Sequence, residues 1–213
     1  MLFDLDGTLA DSLSTIAAAL NETLAAAGYP THTEAVVSTM VGDGAATLID
    51  RGAPPDADRA ALLADLKTRY APHSFALTKP FPGVVQLLRS LEAAGARLAV
   101  LSNKPHAMTL LVVQRLFPDT KFVHVFGQRE GVPMKPDPTV ALQLADALGL
   151  QPSQCAMVGD SQVDIETGRR AGMLAVGVTW GFRSRAELST AAPDVLVDTV
   201  AELGGVLLGE RTA

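Results

Sequence analysis

Short apolar runs alternate with longer segments of helical character along most of the chain. This alternation predicts βαβ units built around a mostly parallel sheet. Several of the runs are almost continuously apolar, as expected for strands that helices cover on both faces. The pattern predicts strands at residues 2–5, 97–102, 122–126, 155–159, 174–179 and 194–197. We therefore expect an α/β fold with a Rossmann-like, three-layer core.

The segments between these strands show signals of helix termination and initiation. Gly95, Gly149 and Gly172 follow alanine- or leucine-containing turns, and glycine can adopt the left-handed conformation that ends a helix. Asp137 followed by Pro138 is a plausible N-cap and first residue of the next helix. Each helix is thus expected to lead directly into a strand.

One region breaks the alternation, because it contains no convincing strand. It shows three helix-like stretches, near residues 13–27, 34–50 and 57–71. Its ends, at Asp11-Ser12 and at the proline-rich segment 79–83, resemble paired hinges. We predict an inserted α-helical cap domain and a surrounding core domain, with boundaries at 12–79 for the cap and at 1–11 and 80–213 for the core.

Composition narrows the class of protein. A chain of 213 residues with 48% hydrophobic residues can bury a full core. The formal net charge of −6 and the lack of a basic run argue against a nucleic-acid partner. No stretch approaches the roughly 20 apolar residues of a membrane span, and no signal peptide is recognisable. Cys155 is the only cysteine, which fits a reducing compartment, so we expect a cytoplasmic protein. We expect no membrane partner, and either a monomer or a homodimer.

Two carboxylates, Asp4 and Asp6, lie at the C-terminal end of the first predicted strand and precede a glycine. Ligands of open α/β sheets bind at the carboxyl ends of the strands. In an extended strand both side chains would face the same way and repel each other unless a cation compensates. Mg²⁺ prefers such oxygen ligands. The alternative is an ordinary junction between strand and turn with two solvated aspartates.

Polar residues also follow the later strands. Ser102 and Asn103 could donate hydrogen bonds to phosphoryl oxygens, although such a pair is often only a turn and helix cap. Lys135 precedes a predicted helix and could supply a fixed positive charge, or could simply be solvated. Asp160 could face the cation with Asp164 supporting it from further away, or Asp164 could merely cap a helix. Together these four clusters would lie on one edge of the sheet.

This ordered set resembles the haloacid dehalogenase superfamily, whose four motifs are matched by DLDGT, LSN, the KPDP lysine and GDSQVD. The resemblance covers the whole chain and implies a Mg²⁺-dependent phosphatase acting on a small-molecule phosphate ester. It implies that Asp4 is the nucleophile and a metal ligand, and that Asp6 is the general acid/base and binds metal through its carbonyl. It also implies that Ser102 and Asn103 hold phosphoryl oxygens, Lys135 stabilises charge and Asp160 binds the metal.

Within the superfamily the chain looks like the phosphoglycolate phosphatase group. The supporting segments are 41–45, Ser102 to Pro105 and 178–183. The resemblance implies 2-phosphoglycolate as substrate, with Gly42 and Asp43 in a loop that enters the site. Arg51 could meet the substrate carboxylate, or it could be a solvated helix residue.

Other substrates and classes remain open. The scaffold is shared with phosphatases of sugar phosphates, pyrophosphate or phosphonates and with phosphosugar mutases. Asp6 argues against a hydrolytic dehalogenase, and Asp6 with the helical insertion argues against a phospho-accepting signalling receiver. Related chains have several residues before the first aspartate. Here either the first strand is short or the true start lies upstream of Met1.

Overall fold

The computed structural model describes residues 1–209, and it describes only the backbone of Ala71, Ser74 and Phe75. At its centre is a six-stranded parallel sheet. The strands in chain order are β1 (Leu2–Phe3), β2 (Ala10–Asp11), β3 (Lys79–Pro80), β4 (Leu98–Pro105), β5 (Phe122–Gln128), β6 (Ala156–Gly159), β7 (Leu174–Val178) and β8 (Val195–Val197). The order in the sheet is β5-β4-β1-β6-β7-β8, whereas β2 and β3 pair separately. The predicted α/β fold is confirmed, and each predicted strand segment contributes to this sheet.

Helices cover both faces of the sheet. They are α1 (Leu13–Ala26), α2 (Glu34–Met40), α3 (Gly44–Gly52), α4 (Arg59–Leu77), α5 (Val84–Ala93), α6 (His106–Leu116), α7 (Thr139–Ala147), α8 (Gln162–Ala171), α9 (Arg185–Thr190) and α10 (Val200–Leu208). Alternating strand residues feed two separate cores, since neighbouring side chains point to opposite faces. Leu2 and Met157 pack with α7, while Phe3 and Val158 pack with α5. This is the expected three-layer arrangement. None of the helices in the described residues combines the length and apolarity needed to cross a membrane.

The predicted glycine terminators adopt the expected conformation. Gly95, Gly149 and Gly172 have φ angles of +80°, +67° and +69°, which L side chains rarely adopt. The predicted start of α7, with Asp137 as N-cap and Pro138 as first helical residue, was one residue early. Asp137 accepts a hydrogen bond from the Thr139 amide at 2.9 Å, and the helix begins only at Thr139.

The first strand is shorter than predicted. β1 ends at Phe3, because the chain then turns tightly around the Leu5 carbonyl, which accepts hydrogen bonds from the Leu9 and Ala10 amides at 3.0 and 2.9 Å. Asp6 therefore lies in this turn and not in an extended strand. The expectation that an extended strand through Asp6 makes Asp4 and Asp6 face the same way was wrong, although both residues line the cavity described below.

The helical insertion, defined here as α1 to α4, lies between β2 and β3. The segment predicted as one helix over 34–50 forms two helices, α2 and α3. They are separated by Val41, Gly42 and Asp43, because Gly42 has a φ of +121°, far from the φ of about −60° in an α-helix. This break creates a loop that faces the sheet.

The insertion enters and leaves the core through a short antiparallel ribbon. In it β2 pairs with β3, with Ala10 opposite Pro80 and Asp11 opposite Lys79. Just beyond the ribbon the buried hydroxyls of Thr15 and Thr78 are 2.6 Å apart. The two crossing segments are thus tied to each other at the positions where hinges were predicted.

Candidate active site

The carboxyl ends of the parallel strands share one edge of the sheet, and the predicted core residues of the site lie there. Asp4 follows β1, Ser102 and Asn103 lie near the end of β4, and Asp160 follows β6. Lys135 lies in the loop between β5 and α7. Segments distant in the chain are therefore neighbours in space.

Three buried carboxylates, from Asp4, Asp160 and Asp164, meet at this edge. One oxygen of each lies within 4.8 Å of the others. Burial raises the pKa of Asp4 to about 6; the positive charge of Lys135 opposes this rise and the negative charge of Asp164 adds to it. Burial, together with repulsion from Asp164 and Asp4, raises the pKa of Asp160 well above its usual value. Such a concentration of acidic groups favours a bound cation.

Lys135 supplies part of the compensating charge. Its Nζ lies 2.6 Å from Asp164 Oδ1 and 2.9 Å from Asp4 Oδ1, and its side chain is only 2% exposed. Burial alone would lower the pKa of Lys135, but the two carboxylates outweigh it and raise the pKa, so the ammonium stays charged. The lysine is therefore a fixed charge at the site and not a solvated one.

Asp164 is also the cap of α8. Its Oδ2 accepts hydrogen bonds from Ser161 N at 3.2 Å and Ser161 Oγ at 2.6 Å, which forms a capping box. A Cβ on Gly159 would lie 2.2 Å from Asp164 Cβ, so only glycine fits there. Since Ser161 and Lys135 engage both carboxylate oxygens, the geometry supports Asp164 as the partner of Lys135, and Asp164 also remains one of the three carboxylates that could hold a cation.

Asp4 and Asp160 have oxygen atoms that a cation could use. Asp4 Oδ1 is buried without a hydrogen bond from the described residues, although Lys135 Nζ is close to it. Asp160 Oδ2 accepts from Phe182 N at 2.7 Å, but its Oδ1 has only a long contact of 3.4 Å from Thr8 Oγ1. Spare capacity on two adjacent carboxylates fits a hard divalent cation such as Mg²⁺.

Asp6 lies beside this cluster in a separate hydrogen-bonded group. It accepts from Ser12 Oγ at 2.6 Å, and Lys104 Nζ lies 2.9 and 2.8 Å from its two oxygens. Lys104 is buried, and in the sequence it stood out only as part of the segment Ser102 to Pro105 that supported the family resemblance. Neither Lys104 nor Ser12 was predicted as a site residue, because these contacts depend on how the turn after β1 folds back.

Ser102 and Asn103 lie at the site, and the side-chain amide of Asn103 is already engaged in hydrogen bonds. Ser102 Oγ accepts from Lys104 N at 3.3 Å. Asn103 Nδ2 donates to the carbonyls of Gly42 at 3.1 Å and Lys135 at 3.0 Å, while its Oδ1 accepts from Lys135 N at 2.9 Å. The Asn103 amide is therefore a brace between the lysine loop and the insertion. Its predicted role as a side-chain donor to phosphoryl oxygens finds no support in this arrangement.

The predicted cap residues divide into two groups. Gly42 lines the cavity described below, whereas Asp43 and Arg51 do not. Arg51 pairs with Asp43 at 2.6 Å and donates to the Met40 carbonyl at 2.9 Å. It is held there because it lies about two turns along α3 from Gly44, away from the cavity. The expectation that Arg51 meets a substrate carboxylate is not supported, and neither is a direct contact from Asp43.

Arg183 is a cation that lines the cavity and contacts the insertion. It belongs to the core, in the segment between β7 and α9, and donates to the carbonyls of Ser38 at 2.6 Å and Val41 at 2.5 Å. It thereby ties the core to the end of α2 and to the loop after it. The residue was part of a segment noted for family resemblance, but its contacts could not be read from the sequence.

One cavity lies between the sheet edge and the insertion, and Asp4, Asp6 and Asp160 are among the residues that line it. Its floor is polar and comes from the sheet edge, while its roof is largely apolar and comes from the insertion. The lining residues are Asp4, Asp6, Ile16, Val41, Gly42, Gly44, Ala45, Leu48, Leu66, Tyr70, Ser102, Asn103, Lys104, Pro105, Met108, Asp160, Ser161, Phe182 and Arg183. The cavity thus combines a charged end with a small apolar chamber.

With this geometry established, the comparison with known protein families decides the assignment. Residues 1–178 match the model of the haloacid dehalogenase-like hydrolases. The chain belongs to this family. The resemblance inferred from the four motifs is thereby confirmed.

Individual haloacid dehalogenase-like relatives cover nearly the whole chain. A phosphoglycolate phosphatase of Rhodospirillum rubrum is 36% identical, over 96% of this chain and 88% of its own length. One from Vibrio vulnificus is 34% identical, over 97% and 94%. The crystal structure of a candidate phosphoglycolate phosphatase from Lactobacillus delbrueckii subsp. bulgaricus superposes with a TM-score of 0.90 at 30% identity, covering 98% of each chain. The similarity therefore includes the insertion as well as the sheet.

Proposed function

We propose that this protein is a phosphatase that hydrolyses a small phosphate monoester, 2-phosphoglycolate, through a phosphorylated Asp4. The observation that carries the proposal is the position of Asp4, a buried carboxylate that lines the cavity and has Lys135 Nζ at 2.9 Å. The names of relatives at 36% and 34% identity support the choice of substrate.

Asp4 and Asp6 divide the chemistry between them. An Asp4 oxygen attacks phosphorus, the bond from phosphorus to the ester oxygen breaks, and protonated Asp6 gives its proton to that oxygen. Water then attacks the phosphorus of the aspartyl-phosphate, and Asp6, now a carboxylate, takes the proton from that water. Phosphate leaves and the free Asp4 carboxylate is restored.

The remaining residues hold charge and position. Lys135 offsets negative charge on Asp4 and on the phosphoryl group, and Asp164 keeps the ammonium in place. A Mg²⁺ held by Asp4 and Asp160, with the Asp6 carbonyl predicted as a further ligand, would supply positive charge that offsets the charge of the phosphoryl oxygens. Ser102 lines the cavity. Asn103 connects the Lys135 loop to Gly42 through its side-chain amide.

In this proposal the segment 12–79 acts as a cap that covers the reacting groups and limits the size of the leaving group. Two features support the assignment. The loop that follows α2 is fastened to the core through Arg183 and Asn103. A Cβ on Gly44 would lie 3.3 Å from both Asn103 O and Met134 Sδ, which shows how closely the insertion approaches the core.

A substrate panel tests the proposal. Phosphate release is measured from 2-phosphoglycolate, a hexose phosphate, pyrophosphate and p-nitrophenyl phosphate, with Mg²⁺ and with EDTA. We expect 2-phosphoglycolate to be hydrolysed fastest and EDTA to abolish turnover of all four. Faster hydrolysis of the hexose phosphate or of pyrophosphate would refute the substrate, and unchanged activity in EDTA would refute the metal-dependent mechanism.

A further inference from the structure

Lys104 is a cation of the cavity to which the reaction described above assigns no role. Among the described residues that line this cavity, the lysines and arginines are Lys104 and Arg183. Arg183 is committed to two backbone carbonyls of the insertion. Lys104 Nζ contacts the two oxygens of Asp6, and an ammonium has three N–H donors, so at least one donor is free of Asp6.

Tyr70 of α4 meets this ammonium from the opposite side. Lys104 Nζ lies 4.2 Å from the centroid of the Tyr70 ring, which is a cation–π contact. Tyr70 is 3% exposed and lines the cavity, and its hydroxyl makes no hydrogen bond to the described residues, although Lys104 and Thr78 are near enough to lower its pKa in part. A buried unpaired hydroxyl is unfavourable and points to a partner that arrives with a ligand.

Both groups are suited to an anion. Burial raises the pKa of the Tyr70 hydroxyl, although the charge of Lys104 partly opposes the rise, so the hydroxyl remains a donor at neutral pH. Burial alone would lower the pKa of Lys104, but the Asp6 carboxylate and Tyr70 outweigh it and raise the pKa. An ammonium and a phenol together match a carboxylate, which accepts hydrogen bonds on both oxygens.

Given the proposed function, on which this inference rests, we propose that Lys104 and Tyr70 form the subsite for the carboxylate of the substrate's leaving group. Asp6, which hands a proton to the ester oxygen, lies 2.8 Å from Lys104 Nζ. In 2-phosphoglycolate a single methylene separates the ester oxygen from the carboxylate. A leaving group whose ester oxygen contacts Asp6 therefore places its carboxylate beside Lys104.

The surroundings of the pair exclude larger polar leaving groups. Ile16, Leu48, Leu66 and Met108 line the same part of the cavity and offer no hydrogen bonds to sugar hydroxyls. A hexose would leave several hydroxyls unpaired against these side chains, which is costly. The subsite thus accounts for selection of a short acid and assigns to Lys104 and Tyr70 the role that the sequence suggested for Arg51.

The test compares two esters that differ only at the carboxylate, 2-phosphoglycolate and 2-hydroxyethyl phosphate. Tyr70→Phe removes the hydroxyl and keeps the ring, so the cation–π contact survives. We expect a KM for 2-phosphoglycolate raised about fivefold to tenfold, with kcat retained and both parameters for 2-hydroxyethyl phosphate within about twofold. The midpoint of thermal unfolding should be unchanged or higher, because an unpaired buried hydroxyl has gone.

Lys104→Met affects Asp6 as well and should slow both esters. The specific effect is on the preference between the esters. We expect the kcat/KM for 2-phosphoglycolate divided by that for 2-hydroxyethyl phosphate to fall about tenfold or more. Lys104→Arg should recover part of this ratio. Tyr29→Phe and Lys67→Met, on the surface of the insertion and outside the cavity, are matched controls that should keep the wild-type ratio.

The outcomes separate this inference from the proposed function. A wild-type protein that prefers 2-phosphoglycolate, with Tyr70→Phe and Lys104→Met variants that keep the full preference, would overturn the subsite and leave the proposed function standing. A wild-type protein that turns over both esters equally would contradict the proposed substrate and the subsite together. Loss of the preference in both variants, with the controls unaffected, supports the subsite.

Discussion

The two ends of the cavity are built in different ways. At the sheet edge, buried charged groups contact one another, as Lys135 does with Asp4 and Asp164. At the insertion end the wall is mainly aliphatic, with Ile16 and Leu66 among its members. Charged side chains therefore surround the end of the cavity where the strands end, and apolar side chains line the end that the helices of the insertion cover.

This contrast indicates a division of labour. A buried charge is tolerated only when it is paired and hydrogen-bonded, so each group at the sheet edge depends on its neighbours and has little freedom to change. Apolar walls tolerate substitution more readily, as long as volume is preserved. We expect changes to the reacting groups at the sheet edge to slow turnover of every ester, and changes around the leaving group to alter mainly the preference between esters.

The largest effect is expected for Asp4→Asn. Removing the nucleophile should lower kcat roughly 10³-fold or more for every ester, because in the proposed reaction Asp4 is the group that accepts the phosphoryl group. Phosphate release from p-nitrophenyl phosphate and 2-phosphoglycolate measures it, with circular dichroism as the folding control. Retention of a tenth of the activity on either ester would contradict the assignment of Asp4.

Asp6→Asn should cost less, about 10² to 10³-fold in kcat, since only proton transfer is lost. The loss should be larger for 2-phosphoglycolate than for p-nitrophenyl phosphate, whose leaving group needs less help from an acid. Stabilisation by Mg²⁺ in thermal unfolding should persist, because Asp4 and Asp160 are intact. Wild-type turnover in this variant would remove Asp6 from the mechanism.

Arg183→Met tests the attachment of the insertion to the core. It removes two hydrogen bonds to the carbonyls of Ser38 and Val41, so the loop that follows α2 loses one of its anchors. We expect kcat/KM for 2-phosphoglycolate to fall about tenfold, roughly the loss of one charge-assisted hydrogen bond. Arg51→Met is the matched comparison, and a larger effect there would restore the original expectation for Arg51.

The smallest effect concerns stability and pH. Because burial raises the pKa of Asp4 to about 6 from an ordinary value of 3.8, the folded protein holds a proton that the unfolded chain has released between these values. Without metal, the free energy of unfolding should therefore fall as pH rises from about 4 to 6.

Saturating Mg²⁺ should restore this loss above pH 6, and the measurement is the thermal midpoint at pH 4, 6 and 7 with Mg²⁺ and with EDTA. Asp4→Asn should remove Asp4's part of the pH dependence. A metal-free wild type and an Asp4→Asn variant with the same pH dependence between pH 4 and 6 would contradict the buried environment of Asp4.

Much of the sheet edge could be predicted from sequence, because it depends on local pattern and a general rule. Apolar runs indicated the strands, and parallel strands place their carboxyl ends on one side, so Asp4, Lys135 and Asp160 could be expected to meet. The tight turn at Leu5, which moves Asp6 out of the strand, carried no comparable signal.

The sequence by itself determined the family, the parallel sheet and the acidic cluster, since motif residues and hydrophobic period are properties of short segments. Only the tertiary structure decided which cation lies beside Asp6. Arg51 and Lys104 are equally cationic in the sequence. Arg51 pairs with Asp43 on the insertion, and Lys104 lies buried between Asp6 and Tyr70. That choice depends on how α4 packs over the end of β4, a contact between residues distant in the chain that no local pattern encodes.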